Sequence, residues 1–481
     1  MSRPRNILLL MTDQHRADHV GWHPRRRWAM PHLDRLAEGT VFDTCITSDP
    51  ICTPARTALL TGKYPHQIGT LEMSGDLSPQ HPTYARALQG AGWHTVAVGK
   101  LHWLQTWKWG HPRGQGLDLV ALNGALRGFG FDRIWETAGK QLAQRNHCDW
   151  CAHLAAKGML EAYRDHAYAA GENYGTLRQT EFTGDPWPLP EEDYVDIVTG
   201  DQVLRHLRER PSDKSFCLFA SFCGPHAPFD PPRRFLDAVP EEPEPDDLVP
   251  GDEPVGPIER ARLRRLRRAY KAMLAVIDEQ IGRIFAELQR QGLWDDTVVI
   301  FTSDHGEMLG DRGHFQKSRP WWQSCTVPTA IRHPDHLRRG RITAPVELTD
   351  LTATILDIAG LDPRRALSRD WPAFHDRVPC RSLLPLLRGE AESVRDWAFS
   401  ECGGKWQMIQ DRRWKYLRWA GGTPDAPRES LYDLAADPDE TRDLAADPAR
   451  AGELACGRAR LLDLLCATPA AQTTWAPLIS G

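Results

Sequence analysis

Two apolar runs that each end in an acidic residue constrain this chain more than any other feature. NILLLM near the N-terminus delivers Asp13-Gln14, and TVVIF far downstream delivers Asp304-His305. An unbroken run of this kind is buried on both faces, as a parallel strand between two helical layers is. The polar groups at its carboxyl end then gather along one edge of the sheet. Further runs, TVAVG before Lys100 and SFCLFASF before His226, alternate with amphipathic stretches. The clearest helix is expected over Glu259–Gln291, where Leu263, Leu266, Tyr270, Met273, Leu274, Ile277, Ile281, Ile284 and Leu288 recur at helical steps. The pattern predicts an α/β fold with a largely parallel sheet.

Between NILLLM and TVAVG lies Cys52-Thr53-Pro54-Ala55-Arg56. Proline favours the first helical turn, so a helix starting near Pro54 points free N–H groups and its positive dipole end at position 52. Such a helix start seats a sulfate or phosphate. Arg56, one turn in, adds a fixed cation beside the same group. With Thr61-Gly62 following, these residues match a Cys-x-Pro-x-Arg core, and the chain resembles the type I sulfatases of the alkaline phosphatase superfamily. The resemblance implies that Cys52 is oxidised after translation to formylglycine, whose hydrated aldehyde is the nucleophile. It also implies a metal site of Asp13, Gln14, Asp304 and His305, completed by the modified Cys52. Many relatives carry Asp-Asp and Asp-Asn at these places. Here Asp-Gln and Asp-His remove one formal carboxylate and add an imidazole. Calcium is the ion expected from the family, and manganese is the alternative from ligand type, since a nitrogen donor suits borderline ions better.

The same resemblance assigns Lys100 and His102 of AVGKLHW to the nucleophile and the ester oxygens. It assigns His226 to the neighbourhood of the scissile ester and Lys317 to the sulfate. A transferring sulfuryl or phosphoryl group spreads negative charge over its peripheral oxygens, so metal ion, arginine and lysine act as a preorganised clamp. Histidines exchange protons with the nucleophile and the leaving oxygen. The expected catalytic set is Cys52, Arg56, Lys100, His102, His226 and Lys317. The implied fold is an alkaline-phosphatase-like sandwich with a catalytic domain over 1–374 and a C-terminal subdomain over 375–481. In that subdomain KWQMIQDRRWKYLRW reads as antiparallel strands around a turn, and SLYDLAADPDET resembles the closing segment of the family.

The activity expected is hydrolysis of an aryl, small alkyl or sugar sulfate monoester. Phosphonate monoester hydrolysis, with phosphodiesterase activity, is the runner-up, because relatives with that preference share the Asp-Gln and Asp-His set. A non-catalytic protein that binds sulfated ligands is the remote third reading, disfavoured by the retained lysines and histidines. The 59 basic and 64 acidic residues give a net charge of −5, which argues against nucleic acid as a partner. The arginines between 260 and 268 interleave with the apolar stripe of the long helix and read as a solvated face. No run is long enough to span a membrane. Cleaving a signal peptide after LLLM would remove Asp13, so the segment reads as the first core strand of a cytoplasmic protein. The 11 cysteines are odd in number and scattered, which fits reduced thiols. Cys148 and Cys151 form a CxxC between His147 and His153 with no second pair at zinc-finger spacing, and are assigned no zinc. The partners expected are a small-molecule or glycan sulfate ester and a formylglycine-generating enzyme, with homo-oligomerisation open. The loops over 103–190 are expected to choose the leaving alcohol. Among Trp103, Trp107, Trp109, Trp321 and Trp322, one or two are expected to stack on it at the pocket mouth.

Overall fold

The computed structural model of the chain describes residues 6–24, 28–73, 75–104, 115–169, 184–241, 248–251, 257–335, 337–368, 377–423 and 426–470. Nine strands form one sheet: β1 (Asn6–Thr12), β2 (Thr40–Ile46), β3 (His94–Lys100), β4 (Arg133–Thr137), β5 (Phe216–Ser221), β6 (Thr297–Ser303), β7 (Thr326–Arg332), β8 (Gly340–Ile342) and β9 (Val346–Glu347). Their order is β4-β3-β5-β1-β6-β7-β2-β8, with β9 also on β2. The first five are mutually parallel, and β7 runs antiparallel to both its neighbours. The sheet predicted from the apolar runs is therefore present, with β1 at its centre.

Both faces are covered, which is why the runs are apolar throughout. Along β1, Leu8 and Leu10 join one core cluster while Ile7, Leu9 and Met11 join the other. On the first face lies the long helix Pro257–Arg290, in place of the expected 259–291, packed beside Val195–Glu209. The second face carries the helices Cys52–Thr61 and Asp350–Ile358. At about 25 cal/mol per Å² of apolar surface removed from water, these two layers supply the main drive to fold.

A second sheet, antiparallel and four-stranded, holds β10 (Ala398–Cys402), β11 (Trp406–Gln410), β12 (Trp414–Trp419) and β13 (Glu429–Asp433). The turn expected within KWQMIQDRRWKYLRW joins β11 to β12. The expected boundary at 374/375 lies outside the described residues. Among the described residues, no helix is long and apolar enough to cross a membrane.

Candidate active site

The site is built at the carboxyl edge of the parallel strands. Thr12 of β1 stands in register with Ser303 of β6, so Asp13 and Asp304 leave adjacent strands side by side. Lys100 ends β3 and Ser221 ends β5, with His226 five residues on. Gln14, His102, Gln316 and Ser318 all have positive φ, between 54° and 69°. Non-glycine residues hold that conformation at a cost of about 1–3 kcal/mol each, which the packed surroundings must offset. Cys52 opens its helix at the first position, two residues earlier than Pro54 suggests, and is 1% exposed.

The nine other residues of the expected catalytic and metal sets gather about Cys52. Its Sγ lies 3.2 Å from His305 Nε2, 3.4 Å from Lys317 Nζ, 3.6 Å from Lys100 Nζ and 3.8 Å from Asp13 Oδ1. Lys100 Nζ is 2.5 Å from Asp13 Oδ2. Lys317 Nζ also donates to Gln14 Oε1 and meets His226 Nε2, each at 2.7 Å. Asp13, Cys52, Asp304 and His305 can offer ligand atoms all within 4.8 Å of one another. His305 Nδ1 donates to Gly306 O at 2.9 Å, which leaves Nε2 as a lone-pair donor facing that cluster. Two carboxylates, an imidazole nitrogen and a sulfur at this spacing fit a divalent cation.

Arg56 differs from its expected place. The motif alone predicts a cation beside the transferring group. In the structure the guanidinium is wholly buried, with Nε on Asp304 Oδ2 at 2.8 Å and Nη2 on Asp13 Oδ2 at 2.9 Å. Its Nη1 donates to Lys100 O and to Ser221 Oγ. Arg56 thus braces the carboxylates from below rather than lining the cavity.

The charges tune one another. Burial alone would raise Asp13, but the charges of Lys100, Arg56 and Lys317 overcome it and hold the carboxyl well below its usual range. Burial and Asp13 push the Cys52 thiol up, yet Lys100, Lys317 and His305 bring it below its ordinary value. Burial, then Lys100 and Arg56, hold His102 well below the imidazole range, and burial, Lys317 and Lys100 do the same for His226. Both rings are therefore neutral at physiological pH. His102 Nε2 donates to Ala138 O at 3.0 Å, leaving Nδ1 as an unpartnered buried acceptor. His226 Nδ1 donates to Ala227 O at 2.7 Å, leaving Nε2 free to accept.

Above Cys52 opens a cavity of ≈ 350 Å³. Its floor holds Lys100, His102, His226 and Lys317, and its walls include Met73, Ala138 and Leu142. Glu72 and Lys405 also line it, the latter from the turn joining β10 and β11. The cavity wall thus reaches beyond 103–190 into the small sheet. Of the five tryptophans expected near the mouth, the three that lie among the described residues, Trp103, Trp321 and Trp322, do not line the cavity. Trp103 stacks on Phe131 in the core, Trp321 lies under Arg312, and Trp322 lies under Arg16. Trp107 and Trp109 lie outside the described residues. Cys148 and Cys151 pack in the core with sulfurs 3.4 Å apart, and His153 turns to Asp193.

Two residues that the sequence does not single out support the site. Ser221 accepts from Arg56 and donates to Lys100 O. Glu307 is wholly buried and accepts from the Gln14 amide. Its only signal is position, three residues beyond Asp304 in the same strand end.

Known proteins resemble this chain over most of its length. The family profile "Sulfatase" matches residues 5–361. An arylsulfatase of Clostridium perfringens is 27% identical over 90% of this chain and 89% of its own. A choline-sulfatase of Rhizobium meliloti is 27% identical over 90% and 81%. The solved phosphonate monoester hydrolase of Agrobacterium radiobacter superposes with a TM-score of 0.74 at 23% identity, over 96% of both chains.

Proposed function

The chain belongs to the sulfatase family and is a sulfuric ester hydrolase, and from that premise we propose that it cleaves a sulfate monoester with residue 52, oxidised to formylglycine, as nucleophile. The observation that carries the reading is Cys52 at a helix start, enclosed by Lys100, Lys317, His305 and Asp13 within 3.8 Å. A formylglycine there supplies a hydrated aldehyde whose hydroxyl attacks sulfur and whose carbonyl re-forms to release sulfate. Asp13, Gln14, Asp304 and His305 would hold a divalent ion, calcium or manganese, which supplies positive charge to the ester oxygens. Lys100 and Lys317 flank the nucleophile and hold the peripheral oxygens as charge builds on them. His102, neutral and with Nδ1 free, takes the proton of the attacking hydroxyl. His226, neutral, accepts from Lys317 through Nε2 at 2.7 Å, so the proton for the leaving oxygen comes from the Lys317 ammonium that His226 holds in place. Arg56 fixes the two carboxylates.

The substrate is a small sulfate ester or sulfated glycan fragment, since a ≈ 350 Å³ cavity takes one or two rings. The ten cysteines other than Cys52 are also unpaired, which supports a cytoplasmic setting, and maturation requires a formylglycine-generating partner. A C-terminal subdomain over 375–481 would carry Lys405 to the cavity. Phosphonate monoester hydrolysis is the second reading, favoured by Gln14 and His305 and by the likeness to the Agrobacterium enzyme. Intact mass of the peptide holding Cys52 tests the nucleophile: an unmodified thiol in fully active protein would refute it. The substrate is tested by kcat/KM on an aryl sulfate, an aryl phosphonate monoester and a panel of sulfated sugars. A phosphonate preference above about tenfold, about 1.4 kcal/mol of differential transition-state binding, would reverse the order.

A further inference from the structure

The amide of Gln14 is held between two charges of opposite sign. Oε1 accepts from Lys317 Nζ at 2.7 Å, and Nε2 donates to Glu307 Oε2. An ammonium only donates and a carboxylate only accepts, so these contacts admit one amide orientation. The oxygen faces Lys317, which in turn meets Cys52, and the nitrogen faces Glu307. Glu307 is fixed in its turn, because its other oxygen accepts from the N–H groups of Leu309, at 2.8 Å, and Gln316. The backbone of Gln14 is pinned as well, at φ 67° with its N–H on Asp304 Oδ1 at 3.0 Å.

We infer that Glu307 is a positioning residue for the metal site. It turns the Gln14 amide so that oxygen, not nitrogen, is presented to a cation, and it is the reason an amide rather than a carboxylate stands at position 14. The inference rests on Gln14 being a metal ligand. A carboxylate at 14 would meet Glu307 head-on in a water-free site, where like charges in contact repel strongly. The amide keeps the same length, supplies the donor that Glu307 needs, and leaves one oxygen lone pair for the ion. Turned the other way it would offer the ion only N–H groups.

The test uses chelator-stripped full-length protein titrated calorimetrically with Mn²⁺ alone and Ca²⁺ alone. In Glu307→Gln the new amide keeps its oxygen on Leu309 and Gln316 and turns N–H groups toward Gln14 Nε2. Two donors then face each other, Gln14 flips, and affinity falls by at least about tenfold, as changes to the partners of metal ligands do. In Gln14→Glu/Glu307→Gln the donor–acceptor pair returns in reversed sense, and affinity recovers to within about threefold of wild type. A residue that merely braced the loop would show no such recovery. Unchanged affinity in the single variant, or a double variant no better than the single, overturns the inference. Should Glu307→Gln fail to accumulate, the double variant decides alone, because it retains every hydrogen bond. Wild-type protein that binds neither ion overturns the metal reading, and this inference with it.

Discussion

Arg56→Met separates two roles that the motif cannot distinguish: a cation on the substrate or a brace for the carboxylates. Methionine keeps much of the volume and removes the donated bonds to Asp304, Lys100 O, Ser221 and Asp13. Asp13 retains Lys100 at 2.5 Å, so Asp304 is left the more exposed of the two to uncompensated charge. Removing one partner of a buried ion pair costs about 3–5 kcal/mol. The two pairs share one guanidinium and do not add, so the whole change is expected in that range. The sign of the pH dependence follows from Asp13. Its folded pKa lies well below the unfolded value of about 3.9, so its contribution is complete above that value and is lost as pH falls through the folded one. Without Arg56 the folded pKa rises, so the deficit is widest at neutral pH and narrows on acidification through about pH 4. Urea unfolding of chelator-treated protein, followed by tryptophan fluorescence, measures the loss. Added Mn²⁺ should recover part of it by restoring positive charge beside the carboxylates. A loss below about 1 kcal/mol, with a raised KM as the main effect, would refute the brace and return Arg56 to the substrate.

Other outcomes are expected along the same lines. Lys317→Gln removes the charge that, after burial, does most to keep His226 neutral. The acid limb of kcat/KM should move to higher pH while kcat/KM falls about 10²–10³-fold, and an unmoved limb would remove the Lys317–His226 pair from the acid–base role. Cys52→Ala should leave the far-UV circular dichroism unchanged and abolish turnover of every ester, and measurable turnover would exclude residue 52 as nucleophile. Gly99→Ala should cost roughly 3 kcal/mol or more and deplete folded protein. Its φ is 104°, and an added Cβ would stand 1.8 Å from Ser221 O of the neighbouring strand. Normal expression and unfolding of that variant would show that β3 and β5 can separate there.

Much of this site was legible because it is written in local pattern. An apolar strand closed by Asp13 or Asp304 states both the fold layer and the edge where the acid emerges. Cys52 and Arg56 share a helix whose start is marked by Pro54. What was not legible depends on contacts across hundreds of residues. Glu307 looks like any acid after a strand until Gln14 is brought against it from 293 residues away. The direction of the Arg56 guanidinium is set by two strand ends outside its own helix. Tryptophan number carries no direction either: Trp103 fills the core against Phe131, although it follows the Lys100 motif by only three residues. Lys405 reaches the cavity from a hairpin that no motif connects to it.

The burial of Cys52 has a consequence in time. At 1% exposure inside a cavity of ≈ 350 Å³, its sulfur admits a small ester but not the catalytic loop of another enzyme. An enzyme that oxidises it must act before β6 joins β1 and brings His305 over it. Roughly 250 residues separate position 52 from the end of β6 at Ser303. At about 5–20 residues per second, synthesis leaves an interval on the order of 10–50 s in which the residue has emerged and its cover has not yet been made. On the proposed formylglycine reading, the yield of active enzyme is set by a race, and slowing translation downstream of residue 52 should raise the modified fraction without touching the folded protein.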